Sequence, residues 1–464
     1  LFHSTLPKSV KFEVVVVVGS GTAGLTAAIA AADAGQKVIL VEASDVLGGT
    51  TSKSGAIYWI PNNRFMQNAG RTDSLSDALR YMARLSFPAK YSPHKPYLGL
   101  SAEQYELLEV YYREASRTVE ALEKMDALHS TEAISVGDNP LGYPDYHSHL
   151  KEDQAPYGRH LQPKASDSSA GGGPEMISQL STAARRMGVQ IFTGHRAVNL
   201  LRRSDGEIVG IEARAGSELI RVEARRGVIF GSGGFTHSPD LALEFLRGPI
   251  FGGGAVPTNR GDFFRMANSI GAELGNMSMA WFAEVPLELA LREPSQPNNV
   301  WMPYGDSMFI VNRHGKRVQN EKLIYHDRTM VHFHWDGNRC EYPNLFLFMI
   351  YDDSVAKDTR EWPMRWPVPM PRENLDYVIS GNTFEELENA ISERLTSLQE
   401  STGEIELGST FLSNLKETLS RFNSSAKSGR DEEFARGERQ IETDWSGPAR
   451  EGNKFNPTMF PLSS

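Results

Sequence analysis

The hydrophobic pattern changes period twice within the first fifty residues. Phe12–Val18 reads FEVVVVV, an apolar run with no polar alternation, which is the pattern of a strand buried on both faces. The small residues LTAAIAAADAG (25–35) follow and predict a tightly packed helix closed by Gly35, after which Lys37–Val41 repeats the buried-strand pattern. Strand, helix and strand in that order predict an α/β fold built on a parallel sheet. Further along, the turn signals SDGE (204–207) and HGK (314–316) sit between short alternating runs and predict hairpins. Thr383 and Glu386 form a capping-box pair that opens a helix to about Gln399. The Pro- and Asn-rich VPLELALREPSQPNN (285–299) reads as a crossing between domains, and WPMRWPVPMP (362–371) as an irregular loop of the second domain. No internal repeat or low-complexity tail is present in the sequence.

Size and composition narrow the choice of function. A chain of 464 residues is too long for one simple core and implies two domains, or one domain with a large insertion. The formal charge of −10 argues against nucleic acid as a partner, which would need clustered Lys and Arg. The single cysteine, Cys340, rules out an intrachain disulfide framework, reads as buried, and fits a reducing, cytoplasmic setting. No apolar run approaches the roughly 18 residues of a transmembrane segment.

The chemistry begins between the first strand and the first helix. Gly19-Ser20-Gly21-Thr22-Ala23-Gly24 is a G-x-G-x-x-G fingerprint in its required setting of strand, turn, helix, strand and acid. Gly19 permits the tight turn, Gly21 lets the backbone approach a pyrophosphate, and Gly24 allows close packing of helix on strand. The helix N-terminus offers free N–H groups and partial positive charge to phosphates. Glu42, followed by Ala43, can accept hydrogen bonds from ribose hydroxyls. A second glycine- and hydroxyl-rich stretch then supplies Gly48, Gly49, Thr50, Thr51, Ser52 and Gly55. NAD has little use for such a loop directly after the ribose acid. FAD is longer and must be cradled further along, so the sequence favours FAD.

These motifs resemble flavoproteins of the fumarate reductase/succinate dehydrogenase superfamily, and within it the 3-ketosteroid dehydrogenase branch, whose members carry a stretch similar to SGAIYWIPNN after the Gly-rich loop. The resemblance extends over roughly 12–462. It implies that GVQIFTGHRAVNLL (188–201) contacts the adenine around Ala197 and Val198, that Gly231, Ser232 and Gly233 close the cofactor site, and that Asp262 belongs to its NRGDFFRMA helix, where Phe263 replaces a usual glycine. The implied architecture is a Rossmann-like FAD-binding domain over 1–284, continued at 445–464, with an inserted α+β catalytic domain over 285–444. It also implies a hydrophobic, ketosteroid-like substrate and a separate electron acceptor.

In that branch a tyrosine a few residues beyond an Asn-Glu pair removes the proton alpha to a ketone. Here Asn320-Glu321 is followed by Tyr325, and the resemblance assigns an assisting role to Tyr146 in GYPDYHSHL, with Tyr143 as the alternative. Glu321 reads as structural or as part of a proton path. The histidines at 147, 149, 160, 332 and 334 read as solvated or hydrogen-bonded, and no metal site is expected. The reductase branch grips a dicarboxylate with Arg and His, but MSMAWFAEVP (277–286) and CEYPNLFLFMIYDD (340–353) contain neither. Met279, Trp281, Phe282, Trp301, Met302 and Tyr304 suggest a greasy site instead. The expectation is therefore FAD-dependent 1,2-desaturation of a 3-ketosteroid or similar cyclic ketone. One alternative is reduction of an activated alkene. Another is an inactive, truncated FAD- or ligand-binding protein, because family members continue past the segment matching Asn456–Leu462 with a tyrosine motif and a flavin-contacting segment.

Overall fold

The computed structural model describes residues 9–12, 14–134, 139, 141–166, 171–296, 303–362, 365–447, 449–453 and 455–463. They fall into two compact units, one drawn from 1–134, 140–241 and 254–275, the other from 135–139, 242–253 and 276–464.

The first unit is organised by a four-stranded parallel sheet in the order Gly227–Phe230, Val14–Val18, Lys37–Val41, Gln190–Phe192. All five residues of Val14–Val18 are buried, as an unalternating valine run requires of a central strand. Its alternate side chains serve two different cores. Val15 and Val17 join Val38 and Leu40 against Leu25, Ala28 and Ile29 of the helix Thr22–Asp33 and Leu180 and Ala184 of the helix Gly172–Arg186. Val14, Val16 and Val18 face the other way, onto Ala197, Ile211, Ala213, Ile220 and Val222. Those residues line a second sheet, ordered Ser9–Phe12, Glu218–Ala224, Ile208–Ala215, Arg196–Arg202. The expected turn at 204–207 joins its last two strands, with Gly206 at φ +96°.

Two expected boundaries move. The single strand over Phe12–Val18 is two: Phe12 pairs with Ala224 in the second sheet, while Val14 begins the parallel sheet, and Glu13 lies outside the described residues. The helix begins at Thr22, three residues before the apolar period is visible, because Gly21 serves as its N-cap.

The second unit carries a two-stranded antiparallel sheet, Met308–Val311 with Phe348–Tyr351, against the helices Phe384–Thr402 and Phe411–Ser428. Thr383 caps the first of these helices by accepting from the Glu386 N–H, while Glu386 reaches back to the Asn382 N–H. The hairpin expected across HGK does not form. The turn exists, with the Asn312 N–H donating to Lys316 O, but Gly315 is pressed onto the helix Phe411–Ser428, where a Cβ would lie 2.3 Å from Phe411 O. The residues after the turn enter a buried ionic cluster, and Met308–Val311 finds its partner more than thirty residues downstream. Part of the expected crossing is regular, since Leu287–Arg292 is a helix. Met459 and Leu462, in the tail that the resemblance attached to the cofactor domain, lie in this unit's core. Cys340 is exposed at a turn rather than buried, with φ +53°.

Candidate cofactor and active site

The carboxyl ends of the parallel strands gather the fingerprint residues, which is where ligands bind in open α/β sheets. Val18 leads into Gly19–Gly24, Val41 into Glu42, and Phe230 into Gly231–Gly233. Three of these glycines are required by packing inside the chain. A Cβ on Gly19 would lie 2.5 Å from Gly231 O, one on Gly24 would lie 1.9 Å from Gly19 O, and one on Gly231 would lie 2.6 Å from Gly24 N. Gly19 also sits at φ +96°. Gly21 differs: a Cβ there would meet nothing closer than Thr51 Oγ1 at 3.6 Å. Among the described residues Gly55 has no atom within 4 Å of such a position. Neither glycine is needed by the protein's own packing, and both leave open space where a long phosphorylated cofactor can approach the backbone.

Glu42 is buried, and both of its oxygens are engaged. Oε2 accepts from the Ser20 N–H at 2.9 Å and the Ser20 hydroxyl at 2.6 Å, and Oε1 accepts from the Ser44 N–H at 2.8 Å. The Ser20 hydroxyl accepts in turn from the Gly48 N–H at 2.9 Å. Glu42 thus ties the fingerprint to the second Gly-rich stretch. Each carboxylate oxygen has more than one lone pair, which leaves capacity for a ribose hydroxyl. Ala43 follows half-buried.

The second stretch is a short 3₁₀ turn, Gly49–Lys53, entered through Gly48 at φ +111°. Thr51 Oγ1 accepts from the Thr22 N–H at 3.2 Å, and the Ser52 hydroxyl donates to Gly49 O at 2.8 Å. Thr50 and Ala23 are exposed. A feature missed from sequence supports this loop from below. Gly173 at the start of its helix donates to Ser54 O at 2.7 Å, and a Cβ there would lie 1.9 Å from Thr51 O. The signal was the GGGP run at 171–174, which only a close backbone approach explains. Ala197 is buried and Val198 half-buried at a bulge of their strand. Ser232 is half-buried; Gly233, at φ +75°, is held under the Asn259 side chain. Asp262 receives Arg196 Nη1 at 2.6 Å, so this carboxylate has a guanidinium partner of its own. The glycines, hydroxyls and strand-end placement together fit FAD.

Tyr146 belongs to the first unit. Its hydroxyl lies 3.1 Å from that of Tyr143, and the ring of His160 packs on both, 4.8 Å from Tyr143 and 5.8 Å from Tyr146. His160 is not solvated, as its sequence neighbourhood suggested. It is buried, with no hydrogen-bond partner for Nδ1 among the described residues, and burial, aided by the Arg159 charge, holds its pKa down at about 3. Arg159 itself is fully buried among Asp73, Asp145 and Asp153, at 2.8, 3.0 and 2.9 Å. Burial and the neighbouring Asp145 push Asp153 up to about 6.

Tyr325 belongs to the second unit. It is the first residue of the short helix Tyr325–Thr329 and only 9% exposed. Its ring meets Trp281 edge-on at 5.7 Å and lies nearly parallel to Trp445 at 6.5 Å. Trp281 is exposed and stacks on His326. Of the greasy residues expected here, Met279 is exposed, Phe282 and Tyr304 are buried, and Trp301 and Met302 lie outside the described residues. Glu321 is wholly buried. Burial alone would raise its pKa, but the guanidiniums of Arg317 at 2.8 Å and Arg436 at 3.1 Å prevail and hold it at about 2. Sequence reading also missed Arg328, buried at full depth and paired with Glu284. His147 and His149 pack ring to ring at 6.1 Å, and His332 Nδ1 bonds Leu345 O. Among the described residues no group of His, Cys, Asp or Glu is arranged to hold a metal ion, and no helix is long and apolar enough to cross a membrane.

The chain belongs to the FAD binding domain family, which matches residues 14–459. FAD is its cofactor, and it is an FAD-dependent oxidoreductase. It is similar to 4-oxocyclohexanecarboxylate 2-dehydrogenase of Sinomonas cyclohexanicum, at 26% identity over 97% of this chain and 79% of that protein. It is similar to 3-oxosteroid 1-dehydrogenase of Mycolicibacterium smegmatis, at 29% identity over 96% of this chain and 83% of that protein. The fold matches 3-ketosteroid delta1-dehydrogenase from Sterolibacterium denitrificans in complex with 1,4-androstadiene-3,17-dione, with a TM-score of 0.77 at 22% identity, over 98% of this chain and 86% of that one.

Proposed function

We propose that this chain desaturates a cyclic ketone of the 3-ketosteroid kind, with Tyr325 as the base. The observation that carries the reading is the placement of Tyr325: a phenol at the start of a short helix, shielded from water, between two indoles, just beyond a buried Asn320-Glu321 pair. FAD is held by Gly19–Gly24, Glu42, Gly48–Ser52, Gly55, Gly231–Gly233 and the Ala197–Val198 strand, and when bound it supplies the acceptor for two electrons. The protein's own part is to take the proton alpha to the carbonyl. A phenol of ordinary pKa near 10 is a weak base at neutral pH, so it needs orientation and a hydrogen-bonding partner as the proton moves. The assisting role falls to Tyr146, whose hydroxyl already shares a hydrogen bond with Tyr143. The apolar side chains around Tyr325 suit a large uncharged ring system better than a dicarboxylate. Arg328, the buried cation on the same helix, is already neutralised by Glu284.

The test is the visible spectrum of the flavin-loaded protein, recorded without oxygen before and after a saturated 3-ketosteroid is added. Bleaching of the flavin band is expected, and Tyr325→Phe should slow it at least about 100-fold. A band that persists in the wild-type protein with steroids and smaller cyclic ketones alike would overturn the reading.

A further inference from the structure

The helix Gln440–Ser446 carries no residue assigned to FAD or to the proton step, yet two of its side chains grip the segment that ends on Tyr325. Glu442 is almost wholly buried. Its Oε1 accepts from Asn320 Nδ2 at 2.9 Å and its Oε2 from the Gly437 N–H at 2.7 Å. Asn320 is buried as well, and its Oδ1 accepts from the Lys322 N–H at 2.9 Å. Asn320 therefore bonds forward into its own segment through one atom and outward to the helix through another. Three residues further along the helix, on the same face, Trp445 lies under Tyr325 with the ring planes 10° apart. Trp445 is itself buried, at 4% exposure, and cannot swing away without opening a cavity.

We propose that the helix Gln440–Ser446 is the positioning element for Tyr325, with Glu442 fixing Asn320 at the root of the 320–325 segment and Trp445 fixing the plane of the phenol. The proposal rests on the reading of Tyr325 as the base. Two anchors are needed because Tyr325 lies five positions beyond Asn320, and a segment held at one end only can rotate. A ring held from one face by a buried indole keeps its hydroxyl on one bearing. The Asn of the Asn-Glu pair thereby has a reason of its own: it is the residue that the distant helix grasps. Its neighbour Glu321 instead serves the arginine cluster.

The experiment isolates the proton step. The FAD-loaded protein is first reduced with dithionite without oxygen, so that no hydride can be accepted. A saturated 3-ketosteroid is then supplied in deuterated water, and exchange of its alpha protons is followed by NMR, with the steroid Kd and the protein Tm measured in parallel. Tyr325→Phe is expected to abolish exchange. Trp445→Leu and Glu442→Ala are expected to slow it about 10- to 100-fold, since a misplacement near 1 Å can cost about that much, while Kd stays within about twofold. Trp445→Phe, which restores an aromatic face, should recover most of the rate. Glu442→Gln keeps the volume but turns an amide N–H towards one of two donors, so it should fall between wild type and Glu442→Ala. These two conservative variants carry the test if the larger changes do not fold. If Tyr325→Phe is silent while the helix variants exchange at the wild-type rate, or lose only Kd, the inference falls and the base reading stands. If Tyr325→Phe exchanges normally, the base reading falls first and takes the inference with it.

Discussion

Ser20 and Glu42 are joined twice, through the serine N–H and its hydroxyl, both onto one carboxylate oxygen at 2.9 and 2.6 Å. The same hydroxyl accepts from the Gly48 N–H. One buried hydroxyl thus holds Glu42, the fingerprint turn and the second Gly-rich stretch in register.

Ser20→Ala removes the hydroxyl and leaves the Gly48 N–H without its acceptor. A hydrogen bond to a charged group contributes roughly 1.5–3 kcal/mol, so FAD affinity should fall about tenfold or more and Tm should drop. Reconstitution of the apoprotein, followed by quenching of flavin fluorescence, measures the first effect. Unchanged affinity would show that the loop keeps its place without this contact.

Gly21 and Gly24 stand three residues apart in one motif and should fail in opposite ways. Gly24→Ala drives a Cβ to 1.9 Å from Gly19 O, so the chain should not fold with a native core. Gly21→Ala meets only ordinary contacts from the protein, so Tm of the apoprotein should stay within a few degrees while flavin content collapses. Thermal melts of both apoproteins, with flavin absorbance after FAD loading, decide the matter. A Gly21→Ala protein that retains its flavin would mean the space above Gly21 is not used.

The two buried titratable groups beside the Arg159 cluster give opposing responses to acid. His160 titrates at about 3 when folded, against roughly 6.5 in an unfolded chain. The unfolded state binds the proton first, so His160 costs stability as pH falls from about 6.5 towards 3. Asp153 titrates at about 6 when folded, against roughly 3.9 unfolded. Its ionised form is the costly one, so its penalty is present above pH 6 and is relieved as pH falls towards 4. His160→Phe should therefore flatten the loss of Tm between pH 7 and pH 5. Asp153→Asn, which leaves Arg159 its pairs with Asp73 and Asp145, should be least costly to stability, or a gain, at pH 7.5 and should compare less favourably with wild type by pH 4.5. Melting curves across this range for both variants check the two signs separately.

Glu321→Gln should be a stability variant before it is a catalytic one. The carboxylate answers both Arg317 and Arg436 in a fully buried site. Breaking a buried pair by removing one partner costs roughly 3–5 kcal/mol. Chemical denaturation should show that loss. A group held at about 2 is ionised throughout the neutral range and has no proton to trade there. A Glu321→Gln protein of native stability with a displaced pH profile would contradict this assignment.

The sequence showed most clearly what is local and periodic. The valine run, the fingerprint, the Thr383–Glu386 cap and the turn at 204–207 all lie where their patterns placed them, because each is decided by neighbours within a few residues. Pairing over distance was less visible. Nothing around 308–316 announces a partner at 348–351, and the residues after the turn enter a buried ionic cluster instead of returning as a strand. The buried ionic clusters were invisible for a related reason. Asp73, Asp145, Asp153 and Arg159 carry no shared motif in the sequence, and only the fold shows that they share one site. Cys340 failed as a buried residue because frequency alone argued for it. The backbone there turns through φ +53°, which places the thiol at the surface.

The contact of Gly231 with Gly19 and Gly24 carries a consequence for how the protein is made. The strand Gly227–Phe230 pairs with Val14–Val18, so the fingerprint turn lacks this wall until residues 227–231 have been synthesised. A nascent chain halted before Gly227 would hold the whole fingerprint and still lack the wall it leans on. Cofactor capture should therefore wait for that segment, and chains arrested upstream of it should elute without yellow colour however much FAD the cell contains.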